Sequence, residues 1–287
     1  MPNSVDNGRR AREGAEMEIP PDVQAYYAIG DEQARLGAGH GRLEALRTTE
    51  LLHRWLPPAP AVVLDVGGAA GRYALPLADE GYTVHLVDPV PLHVEQARAA
   101  SAAARRPLAS VTEGDARALA FDDGSVDAVL LLGPLYHLPS RPDRLRAWAE
   151  ARRVLRPGGV VVAAAISRFG STIDGFASGF LRDPRFAEVV RRGVETGEHV
   201  NADRVPGWFA TAYFHRADEL AHEVEEAGLE LDGPVAVEGP GSFQRGIEEL
   251  LDDPGTRERV LDAIRRVERE PSLLGASAHL LVRGRRA

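Results

Sequence analysis

The chain has 287 residues, of which 44% are hydrophobic and 27% are charged, and its formal net charge is −9 at pH 7. These values are typical of a globular protein and exclude a chain that is disordered throughout. The sequence contains no cysteine, which excludes disulfides, thiolate–metal sites and cysteine nucleophiles. The acidic balance disfavours nucleic acid as a partner, because a polyanion is usually bound by a basic face.

The N-terminal part of the sequence is predicted to lie outside the main domain. Residues 1–20 are polar and are expected to form a disordered leader. Residues 21–60 carry helical patterns around 23–36 and 41–56, which predict a helical cap that acts as a lid or as a packing layer. No run of about 18 apolar residues is present, so we expect a cytoplasmic protein with no membrane partner.

Residues 61–287 are predicted to form an α/β domain, because short β-branched runs alternate with helical patterns. Such alternation implies right-handed crossovers and a mostly parallel sheet with helices on both faces. The predicted strands are 61–67, 83–88, 108–114, 125–133, 160–166, 229–237 and 276–284. The predicted helices include 69–81, 91–106, 141–159 and 217–227. Insertions are expected at about 167–212, with helices over 176–182 and 185–195, and at about 239–272.

A glycine turn follows the first predicted strand, in the segment Asp65-Val66-Gly67-Gly68-Ala69-Ala70-Gly71. Glycines let the backbone bend sharply and approach a ligand closely. The next strand ends in Asp88, where a carboxylate can accept hydrogen bonds from both hydroxyls of a ribose. The turn and this acid together predict a nucleoside-type ligand.

The charge beside the turn discriminates between nucleosides. Asp65 stands two residues before the first glycine, where a carboxylate repels a pyrophosphate but suits a ligand with an ammonium and a sulfonium centre. The dinucleotide pattern G-x-G-x-x-G is also not met. A nicotinamide-dependent oxidoreductase is therefore the weaker alternative.

The stretch from about 61 to 166 resembles the class I S-adenosylmethionine-dependent methyltransferases. Their first motif, D-x-G-x-G-x-G, is matched at Asp65, Gly67 and Gly71, and the chain departs from it at Ala69. The resemblance implies a Rossmann-like, seven-stranded, mostly parallel sheet with the last strand antiparallel. It also implies S-adenosylmethionine as cofactor and S-adenosylhomocysteine as product.

The resemblance assigns further cofactor contacts to the ends of the second, third and fourth strands. Besides the turn with Gly68, these are Asp88 and Pro89 at the ribose, Asp115 and Ala116 at the adenine, and Leu132 and Gly133 where methyl donor and acceptor meet. The segment 152–159, RRVLRPGG, resembles the turn that precedes the fifth strand in the family.

The cap also resembles a segment of bacterial family members, through Tyr26-Tyr27, Asp31-Glu32 and Arg35-Leu36. In such relatives this segment closes over the cofactor, which implies a contact from Tyr27. An arginine is a suitable partner for the methionine carboxylate, and Arg42 and Arg47 are the candidates.

Methyl transfer to a hydroxyl or a carbon acid is helped by a general base. His137 is the first candidate, because it follows the fourth strand at the edge where α/β proteins bind ligands, and its neighbour Tyr136 is expected to line the acceptor pocket. His215, from the first insertion, is a further candidate. Each histidine has a packing role as its alternative, and His279 in the last strand is expected to be structural. No His/Asp/Glu cluster has a metal-ligand spacing, so no metal is predicted.

Aromatic residues of the first insertion, among them Trp208, Phe209 and Tyr213, are expected to wall an apolar pocket. The sequence therefore predicts methyl transfer to an O, N or C atom of a small molecule. The main alternative is a non-methylating S-adenosylmethionine-binding protein of the same fold, since fold does not fix the reaction. Methylation of protein or RNA is disfavoured by the acidic charge. The sequence leaves open a monomer or a homodimer.

Overall fold

The computed structural model describes residues 39–287, which are built around one seven-stranded sheet. Its strands are β1 (Val62–Val66), β2 (Thr83–Asp88), β3 (Ser110–Glu113), β4 (Val126–Leu131), β5 (Leu155–Ile166), β8 (Glu230–Ala236) and β9 (His279–Arg285). Their order across the sheet is β3-β2-β1-β4-β5-β9-β8. Strands β1 to β5 pair in parallel, and β9 runs antiparallel to both of its neighbours, which confirms the predicted sheet. A separate hairpin pairs β6 (Glu198–His199) with β7 (Ala212–Tyr213).

Helices connect the strands and cover the sheet. They are α1 (Gly39–Trp55), α2 (Ala74–Asp79), α3 (Pro91–Ala103), α4 (Arg141–Val154), α5 (Gly170–Ala177), α6 (Pro184–Thr196), α7 (Ala217–Glu226), α8 (Ile247–Asp252), α9 (Pro254–Val267) and α10 (Pro271–Leu274). Short 3₁₀ turns occupy Pro134–His137, Phe180–Arg182 and Gly239–Phe243. Among the described helices, none combines the length and apolar character needed to cross a bilayer.

The core has one layer on each face of the sheet, as the alternation of side chains along a strand requires. On β5, Val161 and Ala163 face a cluster that contains Trp148 of α4 and Leu220 of α7. The intervening Val162 faces the opposite cluster, to which α1, α2 and α3 contribute. Both faces are therefore buried, and this explains why the strands read as continuous apolar runs.

Helix α1 is a packing element of this core along its second half. Leu51, Leu52 and Trp55 are buried against the sheet. Its first half contacts the second insertion, since Leu43 packs in a small cluster with residues of α8 and α9. For this helix the structure favours the packing layer over a free lid. The other predicted cap helix, 23–36, lies outside the described residues.

The helix predicted over 69–81 begins later than expected. Ala69 and Gly71 have φ values of 47° and 91°, and this left-handed backbone is incompatible with a continuous right-handed helix. The residues after them form turns, and α2 begins only at Ala74. Pro76 consequently lies in the first turn of α2, where proline is tolerated because no intrahelical N–H is needed.

Two other predicted helices were also wrong in extent. The segment 176–182 is not one helix, because Gly179 adopts a φ of 74° and separates α5 from a 3₁₀ turn. The helix predicted over 141–159 ends at Val154, and β5 begins at once at Leu155. The pairing of β5 with β4 shifts register across 156–159, where Gly158 has a φ of 80°.

Candidate cofactor and acceptor site

The glycine turn follows β1. In the sheet, β1 is next to β4, and the strand order reverses between these two strands. Open α/β sheets bind ligands at such a point. The N–H of Gly67 donates to the carbonyl of Val87 at 2.7 Å, which ties the turn to the end of β2. A Cβ on Gly67 would lie 2.9 Å from Cδ of Pro134, so a side chain cannot be placed there without displacing the segment after β4. The loops after β1, β2 and β4 therefore meet at one edge, as the sequence predicted.

Asp88 is buried at the end of β2 and is held by three donors. Its Oδ2 accepts the N–H of Ala69 at 2.9 Å, and its Oδ1 accepts the N–H of Val90 at 2.9 Å. His93 Nδ1 lies 3.0 Å from the same Oδ1 and donates to it, since a carboxylate can only accept. The sequence missed His93 as the positioning partner of this acid. A histidine five residues after a strand-end acid is the signal that could have found it.

Asp65 is the unusual charge of the site. Its side chain is buried, and Oδ2 has no hydrogen-bond partner within the described part of the chain. Burial, together with the nearby charge of Asp88, raises the pKa of Asp65 to about 7. A buried carboxyl oxygen without a donor is costly, and a cationic ligand group at this turn would satisfy it. This orphaned oxygen fits the ammonium-bearing ligand that the sequence predicted.

Asp115 follows β3 and forms a bidentate pair with Arg117. Its Oδ1 accepts from Nε of Arg117 at 3.0 Å, and its Oδ2 accepts from the guanidinium at 2.7 Å. The hydrogen bonds that Arg117 donates to Asp115 raise the pKa of Arg117. The neighbouring Ala116 is buried in the core. The adenine contact of Asp115 stays a prediction, and Arg117 is a partner that the sequence did not indicate.

Tyr136 and His137 lie in the 3₁₀ turn after β4, and Phe209 of the first insertion packs against both. The rings of His137 and Phe209 stack with centroids 5.7 Å apart, and those of Tyr136 and Phe209 are 6.1 Å apart. The hydroxyl of Tyr136 donates to the carbonyl of Leu132 at 3.1 Å. Tyr136 and Phe209 also pack against a small buried cluster formed by Ile166, Ala212 and Phe214. We call Tyr136, His137 and Phe209 the aromatic wall.

The position of Phe209 depends on a buried histidine that the sequence analysis did not single out. His199 Nε2 donates to the carbonyl of Phe209 at 3.1 Å, and its Nδ1 accepts from the hydroxyl of Ser171 at 2.8 Å. Burial lowers the pKa of His199 to about 4, so it stays neutral in this tautomer. His199 therefore fixes the loop that carries Phe209.

His215 is fully buried, at a bridge to Ser167 just past β5. Its Nε2 lies 3.4 Å from Oε2 of Glu223, which also accepts from Nε of Arg144 at 2.9 Å through Oε1. Burial lowers the pKa of His215. These contacts fit the packing alternative for His215, and its catalytic role stays a prediction.

The three aromatic residues predicted to wall the pocket do not lie together in the structure. Trp208 is buried against Phe186, with ring centroids 4.9 Å apart. The ring of Tyr213 lies under the guanidinium of Arg144, at 3.7 Å from its centroid. Phe209 thus joins Tyr136 and His137, whereas Trp208 and Tyr213 stabilise the insertion behind it.

The candidate arginines for the methionine carboxylate are bound elsewhere. Arg42 pairs with Asp252 at the end of α8 and donates to the carbonyl of Leu251 at 3.2 Å. Arg47 is buried and pairs with Glu50 and Glu268. Their cofactor contacts stay predictions. Tyr27 lies outside the described residues.

Three potential metal ligands converge at the same edge of the sheet, although the sequence predicted none. They are Glu44 of α1, Glu238 after β8 and His279 at the start of β9, and their ligand atoms lie within 4.8 Å of one another. His279 pairs with Ile166 of β5, so this cluster lies one strand away from the aromatic wall.

The strand order, glycine turn and strand-end acid define a nucleoside-binding domain of Rossmann-like type. Residues 64–163 match the model of a family described as a methyltransferase domain. An uncharacterized methyltransferase of Mycobacterium tuberculosis (strain ATCC 25618 / H37Rv) is 40% identical over 106 residues, which are 37% of this chain and 40% of that relative. The ubiquinone biosynthesis O-methyltransferase of Xanthomonas axonopodis pv. citri is 31% identical over 183 residues, which are 62% of this chain and 66% of that relative.

Solved structures share the fold across most of the chain. A putative methyltransferase in complex with the Haloferax volcanii Trm112 methyltransferase activator gives a TM-score of 0.59 at 20% identity, over 93% of this chain and 99% of that chain. A methyltransferase of Methanosarcina mazei gives a TM-score of 0.56 at 18% identity, over 82% and 96% respectively. The chain spans 40% of the length of the first mycobacterial relatives.

Residues 64–163 therefore match a methyltransferase domain and the chain is similar to methyltransferases, in agreement with the resemblance of the sequence to the class I S-adenosylmethionine-dependent methyltransferases. The cofactor of this class is S-adenosylmethionine.

Proposed function

We propose that the protein transfers a methyl group from S-adenosylmethionine to a small-molecule acceptor, with an oxygen atom as the favoured acceptor. The observation that carries the proposal is the placement of Asp65 and Asp88 at one sheet edge with the aromatic wall. Asp65 offers an unpartnered carboxyl oxygen, and Asp88 is already oriented by its three donors. The bound cofactor supplies an electrophilic methyl carbon on a sulfonium.

The residues of the chain then have separate tasks. Asp88 accepts hydrogen bonds from the ribose hydroxyls of the cofactor, and Asp65 pairs with its ammonium group. The glycines of the turn allow the backbone to approach the cofactor closely. The aromatic wall positions an acceptor with an apolar face and excludes water from it, which is most of what this displacement requires from a protein. His137, beside Tyr136 at the end of β4, is the candidate base for the acceptor proton.

Two observations support a small oxygen acceptor. The net charge of −9 disfavours a nucleic-acid acceptor. The relative from Xanthomonas is named a ubiquinone biosynthesis O-methyltransferase, and it matches 62% of this chain. A non-methylating protein of the same fold remains the alternative to test.

Calorimetric titration with S-adenosylmethionine and S-adenosylhomocysteine tests the cofactor site. We expect the Asp88→Ala variant to bind both ligands more weakly by about 1–3 kcal/mol, as the loss of a charge-assisted hydrogen bond should. Asp127→Ala is the matched control, because Asp127 accepts the N–H of Val62 at 2.7 Å at the opposite end of β1. Absence of heat with either ligand would overturn the cofactor site, and nicotinamide cofactors would be tested next.

Formation of S-adenosylhomocysteine in a panel of phenolic and carboxylic acceptors tests the reaction. We expect turnover in the wild-type protein and its loss in His137→Asn at unchanged cofactor affinity. Cofactor binding without product from any acceptor would favour the non-methylating alternative.

A further inference from the structure

The loop between β6 and β7 has both peptide groups that flank Phe209 held by buried side chains. The amide of Asn201 donates to the carbonyl of Trp208 at 3.4 Å, and Nε2 of His199 donates to the carbonyl of Phe209 at 3.1 Å. Both donors are buried. Asn201 also donates to the carbonyl of Val205 at 3.1 Å and accepts its N–H at 2.8 Å. The loop therefore presents the side chain of Phe209 from a fixed backbone.

His199 is held in turn by two further elements. Its Nδ1 accepts from the hydroxyl of the buried Ser171 on α5 at 2.8 Å. Its ring stacks on that of Phe214, just past β7, with centroids 4.9 Å apart and an interplanar angle of 15°. Burial lowers the pKa of His199 to about 4, so both hydrogen bonds persist across the neutral range. A buried polar group whose hydrogen bonds are all made specifies one arrangement of its neighbours.

The ring that this arrangement presents lies against the imidazole of His137. The rings of Phe209 and His137 stack with an interplanar angle of 25°, and the ring of Tyr136 meets the same imidazole edge-on, with centroids 4.7 Å apart. Aromatic contacts of this kind have preferred geometries and restrict how a ring can turn. The face of a phenyl ring also attracts a cation, so it favours the imidazolium that forms when His137 takes a proton.

We propose that Phe209 is a positioning residue for methyl transfer, which holds the imidazole of His137 in the orientation that meets the acceptor. This role rests on the proposed function, in which His137 removes the proton of an acceptor hydroxyl. In that step the acceptor oxygen bonds to the methyl carbon as the carbon–sulfur bond breaks, and the hydroxyl proton moves to the imidazole. A base acts only within hydrogen-bond reach of that proton. The first insertion thus takes part in the chemistry through Phe209, and His199 acts through Phe209.

Nuclear magnetic resonance of the full chain with ¹³C-labelled histidine tests the contact without any ligand. The Cε1–H signal of His137 is assigned by its loss in His137→Asn. A phenyl ring shifts the resonances of protons near its face, so Phe209→Leu should move this signal. His199→Phe should move it too, because it keeps a ring against Phe214 but donates no hydrogen bond. His199→Gln, whose amide can donate to the same carbonyl, should restore the wild-type position.

Phe180→Leu is the matched control for Phe209→Leu. Phe180 belongs to the same insertion and packs against Phe186 and Trp208, with centroids 5.2 and 6.4 Å apart. The His137 signal should stay in place in this variant. Circular dichroism verifies the fold of each variant.

Turnover of the phenolic acceptors tests the consequence for the reaction. We expect kcat to fall roughly tenfold to a hundredfold in Phe209→Leu and His199→Phe, as for a misplaced catalytic group, with unchanged calorimetric affinity for S-adenosylmethionine. An unmoved His137 signal in Phe209→Leu, or an equal loss of kcat in Phe209→Leu and Phe180→Leu, would overturn the positioning role. If the wild type turns over no acceptor, a moved signal would still confirm the contact, and the failure would lie in the proposed function.

Discussion

The backbone N–H of Ala69 donates a hydrogen bond of 2.9 Å to Oδ2 of Asp88. This contact joins the turn after β1 to the acid at the end of β2, and the left-handed backbone of Ala69, with φ 47°, accompanies it. The turn and the acid are therefore oriented by each other before a ligand arrives. Such preorganisation lowers the cost of binding.

Replacement of Ala69 by glycine should stabilise the protein. A residue with a Cβ is strained at positive φ, whereas glycine is not, so we expect the free energy of unfolding to rise by about 0.5–1 kcal/mol. Urea unfolding measures the change, and calorimetry should show unchanged cofactor affinity. Ala70→Gly is the control, because Ala70 is buried without positive φ, and there glycine should destabilise. Destabilisation by Ala69→Gly would contradict the strain.

The raised pKa of Asp65 predicts a pH-dependent stability. Burial and the charge of Asp88 raise the pKa to about 7, so between roughly pH 4 and pH 7 the folded protein holds a proton that the unfolded chain has released. The contribution of Asp65 to stability is thus fully present at acid pH and is lost as pH rises through this window. Urea unfolding across pH 4.5–8 measures this effect. The free energy of unfolding of the wild type should fall with rising pH relative to that of Asp65→Asn.

Asp127→Asn serves as the control for that slope. Burial would raise the pKa of Asp127, but hydrogen bonds from Val62 and Arg156 lower it, so its contribution is lost as pH falls. Across pH 4.5–8 the difference curve of Asp127→Asn should therefore be flat, because the usual and the lowered pKa of Asp127 both lie below this range, whereas the curve of Asp65→Asn should slope. A flat difference curve for Asp65→Asn would contradict a buried, easily protonated Asp65.

The space around Gly68 and Gly133 predicts that an added methyl group lowers stability at Gly68 and cofactor affinity at Gly133. A Cβ at Gly68 would lie 2.7 Å from Oδ2 of Asp65, so Gly68→Ala should cost about 1–3 kcal/mol of stability. A Cβ at Gly133 would meet only ordinary contacts, at 3.5 Å from the carbonyl oxygen of Gly67 and 3.6 Å from the hydroxyl of Tyr136. Gly133→Ala should keep its melting temperature but bind S-adenosylmethionine more weakly. Normal affinity in a folded Gly133→Ala would remove Gly133 from the cofactor site.

The buried pair of Arg144 and Glu223 should be a main stabilising contact of α4 with α7. Both side chains are 2% exposed, and Glu223→Ala leaves a buried guanidinium without its partner. We expect a loss of about 3–5 kcal/mol and a melting temperature lower by roughly 10 °C. Glu226→Ala, which removes the exposed partner of Arg141, should leave the melting temperature unchanged.

The Glu223→Ala variant also tests the role of His215, whose Nε2 lies against Glu223. If His215 has a packing role, cofactor affinity of the folded fraction should equal that of the wild type. A loss of product formation by the folded fraction, with unchanged cofactor affinity, would instead support His215 as a catalytic residue.

Local features were predictable because each depends on the types of a few residues that are adjacent in the sequence. The alternation of apolar runs with helical patterns indicated the sheet. Gly67, Gly71 and Asp88 indicated the ligand edge, because positive φ and strand ends are properties of single positions. The start of α2 was wrong because alternation and composition carry no information about a left-handed Ala69.

The sequence by itself determined the mostly parallel sheet, the glycine turn at its ligand edge and the nucleoside character of the ligand. Only the tertiary structure decided which side chains share a charge. Arg47 meets Glu268 across 221 residues and Glu238 meets His279 across 41, through insertions whose packing no local period encodes. Such contacts depend on how loops close and which groups are dehydrated together, so burial and partners of Asp65, His215 and His279 emerge only in the folded chain.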